Sequence, residues 1–138
     1  MIKNLLISFV FIFSVSIESQ EAINQWVFNA LERAQLNVDK GNLEAAEKIY
    51  YDYASGTYSS KSYDHFVLLR TYGFFLLQQD RNADALKYLI QADQKRKMPP
   101  MDVFNLKYIL GKIYYVEGQK DKAKETFLAR SSPTGPTR

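Results

Sequence analysis

Apolar residues recur every three or four positions along most of the chain, between polar stretches that hold turn-forming residues. This spacing puts apolar side chains on one side of an α-helix, and it predicts six helices. We expect the helices at about residues 22–40, 43–54, 63–79, 82–95, 103–116 and 120–129. The third is apolar on nearly all sides, which is typical of a helix at the centre of its assembly.

The segments between the predicted helices are rich in residues that end or start helices. Gly41 and Gly118 are placed to end the first and the fifth helix. The side-chain oxygens of Asn42 and Asn82 are placed to cap the helices that follow them. Residues 55–62, with Ser, Gly and Thr, predict a loop, and a Pro-Pro pair separates the fourth helix from the fifth.

One spacing occurs three times along the chain: a small residue is followed by an alanine twelve positions later. The three pairs are Ala34 and Ala46, Gly73 and Ala85, and Gly111 and Ala123. The first residues of these pairs are 39 and 38 positions apart. Antiparallel helices need small side chains where their backbones approach, so we expect each pair at a helix–helix contact. Three copies at a near-constant period are typical of stacked helical hairpins.

This repeat resembles the tetratricopeptide repeat (TPR). The last copy matches the family pattern best, at Leu110, Gly111, Tyr114, Gly118, Ala123 and Phe127. The middle copy has Leu76 in place of the Tyr and Asp80 in place of the turn Gly, and in the first copy Arg33 and Asn37 depart from the pattern. The resemblance implies an all-α fold, a right-handed α-solenoid of three TPR-like helix-turn-helix repeats. They would span residues 22–55, 63–97 and 101–131.

The two ends of the chain differ from this pattern. Residues 1–19 predict a signal peptide, because Lys3 precedes an apolar run at 5–15 and small residues follow it. The run is shorter than the roughly 20 residues that cross a bilayer. We therefore expect export to the periplasm, and an uncleaved signal is the one form of membrane attachment left open. The composition of residues 132–138 predicts a disordered tail.

Composition and charge argue against several classes of function. The net charge of +3 is too small and too dispersed to indicate nucleic-acid binding, and the chain has no cysteine. The one histidine, His65, falls in the first turn of a helix, where a polar helix-start role is favoured over a catalytic one. No metal-ligand spacing, phosphate-binding loop or nucleophile motif occurs in the sequence. We expect no catalytic residue, no metal and no cofactor.

The resemblance also implies a partner-binding groove, because the first helix of each TPR hairpin lines the concave side of the stack. The corresponding positions are Val67, Arg70, Phe74 and Leu77 in the middle copy, and Asn105, Tyr108, Lys112 and Tyr115 in the last. Aromatic side chains beside Arg and Lys suit a protein or peptide with apolar and acidic groups. The alternative, that Phe74 and Leu77 only pack on the neighbouring repeat, stays open.

A narrower resemblance covers part of the chain. Residues 63–79, 85–90 and 99–118 are similar to exported TPR proteins that are encoded with TonB systems of Gram-negative bacteria. The resemblance implies a non-enzymatic periplasmic adaptor for protein–protein interaction, an accessory of TonB-dependent uptake. The alternatives are an envelope-assembly scaffold, and a regulatory subunit or fragment of a larger multidomain envelope protein or enzyme. The last helix needs cover at Leu128, so either a homo-dimer or a longer repeat array is expected.

Overall fold

The computed structural model describes residues 22–131, which form six α-helices and contain no strand. The helices are α1 (Gln25–Asp39), α2 (Leu43–Ala54), α3 (Tyr63–Gln78), α4 (Asn82–Asp93), α5 (Pro100–Val116) and α6 (Lys120–Ser131). The prediction of an all-α fold is therefore confirmed for this range. The predicted signal peptide at 1–19 and the predicted tail at 132–138 lie outside the described residues.

Helices that are neighbours in the sequence are also neighbours in space. The most extensive contacts join α1 to α2, α3 to α4 and α5 to α6, so the chain forms three helix-turn-helix pairs. Smaller contacts join α2 to α3, α4 to α5 and α1 to α3. As the pattern of its apolar residues predicts, α3 is the central helix, and eleven of its sixteen residues are buried.

The turns inside the three pairs have the same backbone hydrogen bonds. In each, two successive N–H groups donate back to the preceding helix in the Schellman pattern. The donors are Gly41 and Asn42 in the first turn, Asp80 and Arg81 in the second, and Gly118 and Gln119 in the third. The first donor of each turn has a positive φ, of 78°, 58° and 81° respectively. The repeat in the spacing of small residues is therefore matched by three equivalent turns.

Two glycines allow close approach between paired helices. A Cβ atom at Gly73 would lie 2.5 Å from Leu89 Cδ2 and 3.5 Å from the Ala85 carbonyl oxygen. A Cβ atom at Gly111 would lie 2.5 Å from Phe127 Cε1. Distances of 2.5 Å are well inside van der Waals contact, so a larger residue at either position would have to displace the Leu89 or the Phe127 side chain. The close approach predicted for Gly73 is confirmed, and at Gly111 the nearest neighbour is Phe127.

The predicted helix caps were wrong. Asn42 is the N-cap residue of α2, but its side chain makes no capping hydrogen bond. Asn82 is the first residue of α4, whose N-cap is Arg81, and the Asn82 amide instead donates to Glu117 Oε1 at 2.8 Å. The start of α5 precedes the predicted one by three residues, because Pro100 occupies its first position, where the missing N–H has no cost.

Candidate protein-binding surface

Three of the predicted groove residues on α3 are buried inside the chain. Val67, Arg70 and Leu77 each expose 7% or less of their surface, whereas Phe74 is half-buried. The side chains of these three residues contact other parts of the same chain, so they are closed to a partner. Of the four α3 positions, Phe74 alone is partly open to solvent.

A buried ion pair accounts for the position of Arg70. Its Nη1 donates to Asp102 Oδ1 at 3.0 Å, and the Tyr63 hydroxyl donates to Asp102 Oδ2 at 3.0 Å. The Arg70 guanidinium also lies 5.1 Å from the centre of the Phe66 ring. Burial, together with the Asp102 carboxylate, raises the pKa of Tyr63 above its ordinary value. These bonds join α3 to α5 at the centre of the protein.

Sequence reasoning gave no role to Asp102. One signal could have identified it, because Asp102 is the only acidic residue in the mostly apolar sequence of α5. A carboxylate in such a helix is rarely buried without a cation. The partner itself, Arg70, lies 32 residues away in the sequence and could not be chosen from the pattern.

The predicted groove residues on α5 are more accessible. Asn105 and Lys112 are half-buried, while Tyr108 and Tyr115 are exposed. Two further exposed apolar residues, Met101 and Phe104, lie on the same side of α5 as the tyrosines. At 3.6 residues per turn, all four fall within a sector of about 60°. We call these four residues the α5 stripe: Met101, Phe104, Tyr108 and Tyr115.

The repeat register shows what the α5 stripe corresponds to on α3. With Gly111 aligned to Gly73, the stripe matches four residues of α3. These are Tyr63, Phe66, Arg70 and Leu77. The α3 residues expose between 0% and 7% of their surface, and the stripe residues between 39% and 62%. Asp102 of α5 bonds to two of these α3 residues, Tyr63 and Arg70. The α5 stripe is therefore the equivalent of the α3 surface that α5 helps to bury.

The charge beside the α5 stripe is positive. Lys112 Nζ lies 5.2 Å from the centre of the Tyr108 ring, within the range of a cation–π contact. The Tyr108 ring also approaches α6, with the Phe127 ring centre 6.2 Å away. Val116, at the end of α5, and Leu128, on α6, are also exposed apolar residues. An apolar surface with one cation at its edge is suited to a partner with apolar and acidic groups.

A second surface feature is a depression of about 650 Å³ between the start of α1 and the loop before α3. Trp26 stacks on Tyr53 there, with ring centres 5.6 Å apart, and Tyr58 completes the aromatic lining. The carboxylate in this depression, Asp64, accepts hydrogen bonds from the backbone N–H and the side-chain amide of Asn24. These bonds fix the start of α1 against α3, which gives Asp64 a structural role.

His65 lies in the first turn of α3, as predicted, and its bonds are structural. Its Nε2–H donates to the Ala54 carbonyl oxygen at 2.9 Å, and its ring stacks on Tyr58 at 4.4 Å. The backbone N–H of His65 donates to Ser62 Oγ at 3.2 Å, which caps α3. Burial lowers the pKa of His65 below its ordinary value, although the bond to Ala54 opposes this shift.

Neither a metal site nor a membrane-spanning helix occurs within residues 22–131. The acidic and histidine side chains in that range form no group of three that could hold a metal ion. None of the helices there is both long and apolar enough to cross a bilayer. The chain matches no protein family, no curated protein and no solved structure.

Proposed function

We propose that this chain is a non-enzymatic adaptor of the TPR type, which acts by binding protein through the α5 stripe. The observation that carries the proposal is the exposure of four apolar side chains at positions whose α3 equivalents are buried. Contiguous exposed apolar residues mark protein-interaction sites more often than isolated ones do. Tyrosine is also among the residues that dominate binding energy at protein interfaces.

The proposal includes a right-handed α-solenoid of three TPR-like repeats, at residues 22–55, 63–97 and 101–131. Two observations support this architecture. The three turns have equivalent hydrogen bonds, and the close approaches at Gly73 and Gly111 lie 38 residues apart. Within residues 22–131 no further hairpin follows α5 and α6, which fits the exposure of the α5 stripe.

The partner that suits this surface has apolar and acidic groups. Lys112 supplies the cation, and it lies half-buried with Asn105 along the edge of the α5 stripe. Half-buried Phe74 can extend the contact toward α3. Arg70 does not contribute a charge to this surface, because its guanidinium is buried against Asp102. The binding surface we propose is therefore narrower than the predicted groove and lies mainly on α5.

We further propose that the adaptor works in the periplasm as an accessory of a TonB-dependent uptake system. Support comes from the sequence, in the signal-like residues 1–19 and in the resemblance of residues 63–79 and 99–118 to exported TPR proteins of such systems. A regulatory role beside an envelope enzyme is the alternative. The two proposed roles differ in which protein contacts the α5 stripe.

Photo-crosslinking in the producing cell tests the proposal. A photoreactive phenylalanine analogue replaces Tyr115 in one variant and Tyr51 in the control, because both tyrosines are more than half exposed but Tyr51 lies on α2. We expect a covalent adduct with a TonB-system protein from position 115 and none from position 51. Adducts of equal yield at both positions, or none at 115, would contradict the proposal. An envelope enzyme as the only adduct would support the alternative.

A further inference from the structure

The depression beside Trp26 combines aromatic rings with carboxylates. Trp26, Tyr53 and Tyr58 supply the rings, and Asp52 and Asp64 supply the carboxylates. The other lining residues are uncharged and small or polar: Asn24, Gly56, Thr57, Ser59 and Ser62. The volume of about 650 Å³ lies within the range of small-molecule sites, which is about 300–1,000 Å³. No residue of the α5 stripe takes part, so this site is separate from the proposed protein-binding surface.

The aromatic rings of the depression are held in place by the chain itself. Tyr58 stacks on His65 with ring centres 4.4 Å apart, and its hydroxyl donates to the Tyr53 carbonyl oxygen at 3.0 Å. The centre of the Trp26 ring lies 5.6 Å from that of Tyr53 and 6.5 Å from that of Tyr58. Even so, 49% of Trp26 is exposed, which leaves a large part of its indole open to a ligand. A ligand would therefore meet rings that need little further ordering when it binds.

The charge that lines the depression is negative. No lysine, arginine or histidine of residues 22–131 lines it. Asp64 accepts hydrogen bonds from the backbone N–H and the amide of Asn24, which hold the carboxylate but do not neutralise it. Among the ion pairs of the described helices and loops, none includes Asp64. Burial, together with the charge of Asp64, raises the pKa of the Tyr58 hydroxyl, so this charge acts on one of the lining rings.

Two lysines reduce the negative charge without lining the depression. Lys48 Nζ lies 2.7 Å from Asp52 Oδ2, in a pair whose two side chains are more than half exposed. Lys95 Nζ donates to the Ser59 carbonyl oxygen at 2.9 Å. An exposed ion pair is weak and screened by salt, but it still offsets much of the Asp52 charge. Attraction of a cation therefore depends mainly on Asp64.

The hydrogen bonds already made at this site favour a cation that needs none. Each Asp64 oxygen accepts one hydrogen bond from Asn24, and the Tyr58 hydroxyl donates to a backbone carbonyl. A primary ammonium or a guanidinium would lose hydrogen bonds to water here without replacing all of them, which costs affinity. A quaternary ammonium has no N–H group and is attracted to aromatic faces, above all to that of tryptophan. A phosphate or carboxylate on the same ligand would be repelled by Asp64.

We infer that the depression lined by Trp26, Tyr53, Tyr58 and Asp64 binds a small organic cation with a quaternary ammonium group and an otherwise neutral structure. Trp26 provides the main aromatic contact, and Asp64 provides the counter-charge. The inference goes beyond the proposed function and does not depend on it, because the two surfaces share no residue.

Trp26 is the only tryptophan of the chain, so its fluorescence reports on this site directly. Choline is the probe, because it joins a trimethylammonium group to a neutral hydroxyl. At constant ionic strength, we expect choline to change the fluorescence saturably and to bind about tenfold more tightly than ethanolamine, which lacks the three methyl groups. Glycine betaine, with a carboxylate beside the same ammonium, should also bind more weakly than choline.

Variants are compared by saturation-transfer NMR titrations on the choline methyl protons, with far-UV circular dichroism as the check on folding. Trp26→Leu should abolish binding, whereas Phe28→Leu, at an aromatic position of α1 that is 45% exposed and outside the depression, should not. Asp64→Asn should weaken binding about fivefold. Lys48→Gln should tighten it about twofold, because the charge of Asp52 is no longer offset. A general effect on folding would not make binding tighter.

Three results would overturn the inference: a choline titration that does not saturate, equal affinities for choline and ethanolamine, or equal losses in Trp26→Leu and Phe28→Leu. Equal affinity for ethanolamine would assign the depression to ammonium groups in general, such as a lysine side chain of another protein. Choline binding without any adduct at position 115 would refute the proposed function and leave this site standing.

Discussion

Removing the Asp102 carboxylate should destabilise the fold more than any change on the surface of α5. The carboxylate is 5% exposed and accepts hydrogen bonds from Arg70 and Tyr63, both at 3.0 Å. In Asp102→Leu a buried guanidinium loses its counter-charge, and a buried hydroxyl loses its acceptor. The apolar area gained by leucine cannot offset both losses.

The expected cost follows from these two groups. Breaking one side of a buried ion pair typically costs about 3–5 kcal/mol, and leaving a buried hydroxyl without an acceptor costs about 1–3 kcal/mol. Because the two effects share one site, we expect a combined loss of about 4 kcal/mol. The triple variant Asp102→Leu, Arg70→Met and Tyr63→Phe replaces all three polar side chains, so it leaves no buried polar group of this set without a partner. That triple variant should lie within about 1 kcal/mol of the parent.

Urea unfolding followed by far-UV circular dichroism measures these differences. Each variant and the parent chain are measured at the same protein concentration and pH, so that the differences in the free energy of unfolding refer to the same conditions. A loss below about 1 kcal/mol for Asp102→Leu, or an equal loss for the single and the triple variant, would refute the argument. Arg70→Glu would place a second carboxylate beside Asp102, so lost partner binding in that variant would report unfolding.

Two further predictions concern a turn and the half-buried His65. Asp80→Gly should raise the free energy of unfolding measured in urea by about 0.5 kcal/mol, because relief of the left-handed φ of 58° outweighs the entropy cost of glycine. The control, Asp80→Ala, keeps the strained φ and should give no gain in stability. The pKa of His65 is lowered by burial, so its contribution to stability is complete above the unfolded pKa and is lost as pH falls through that value toward the folded one. His65→Gln should reduce the drop in urea midpoint between pH 7.5 and 5.5, and an equal drop in both proteins would contradict the assignment.

The helices and turns were predictable because their signals are local. The three-to-four spacing of apolar residues gave all six helices, and the turn glycines Gly41 and Gly118 gave two of the three hairpin turns. The remaining turn, between α3 and α4, has Asp80 where the TPR pattern has glycine, and Asp80 takes the same left-handed conformation. Asp is among the few residues other than glycine that tolerate it. The turn therefore forms without the family's glycine.

What could not be predicted depends on contacts between distant residues. Asn82 looked like a helix cap, but Glu117, 35 residues away, takes its amide as a hydrogen-bond donor. Arg70 looked like a surface cation, but Asp102 draws it into the protein. In both cases the chemistry of the residue was recognised, but the distant residue that bonds to it was not predicted. A pattern within one helix contains no information about which side chain of another helix will satisfy a polar group.

Arg70 and Tyr108 hold the same register position on α3 and α5, yet one is buried and the other exposed. The composition of the helices does not explain the difference, because α3 and α5 have a similar overall hydrophobicity. Position in the assembly does: Asp102 of α5 bonds to Tyr63 and Arg70 on this side of α3, whereas the described helices that pack on α5 are α4 and α6. The α5 stripe therefore exposes the kinds of residue that are buried at the equivalent positions of α3. This difference between equivalent positions is the physical reason to expect that another chain contacts the stripe.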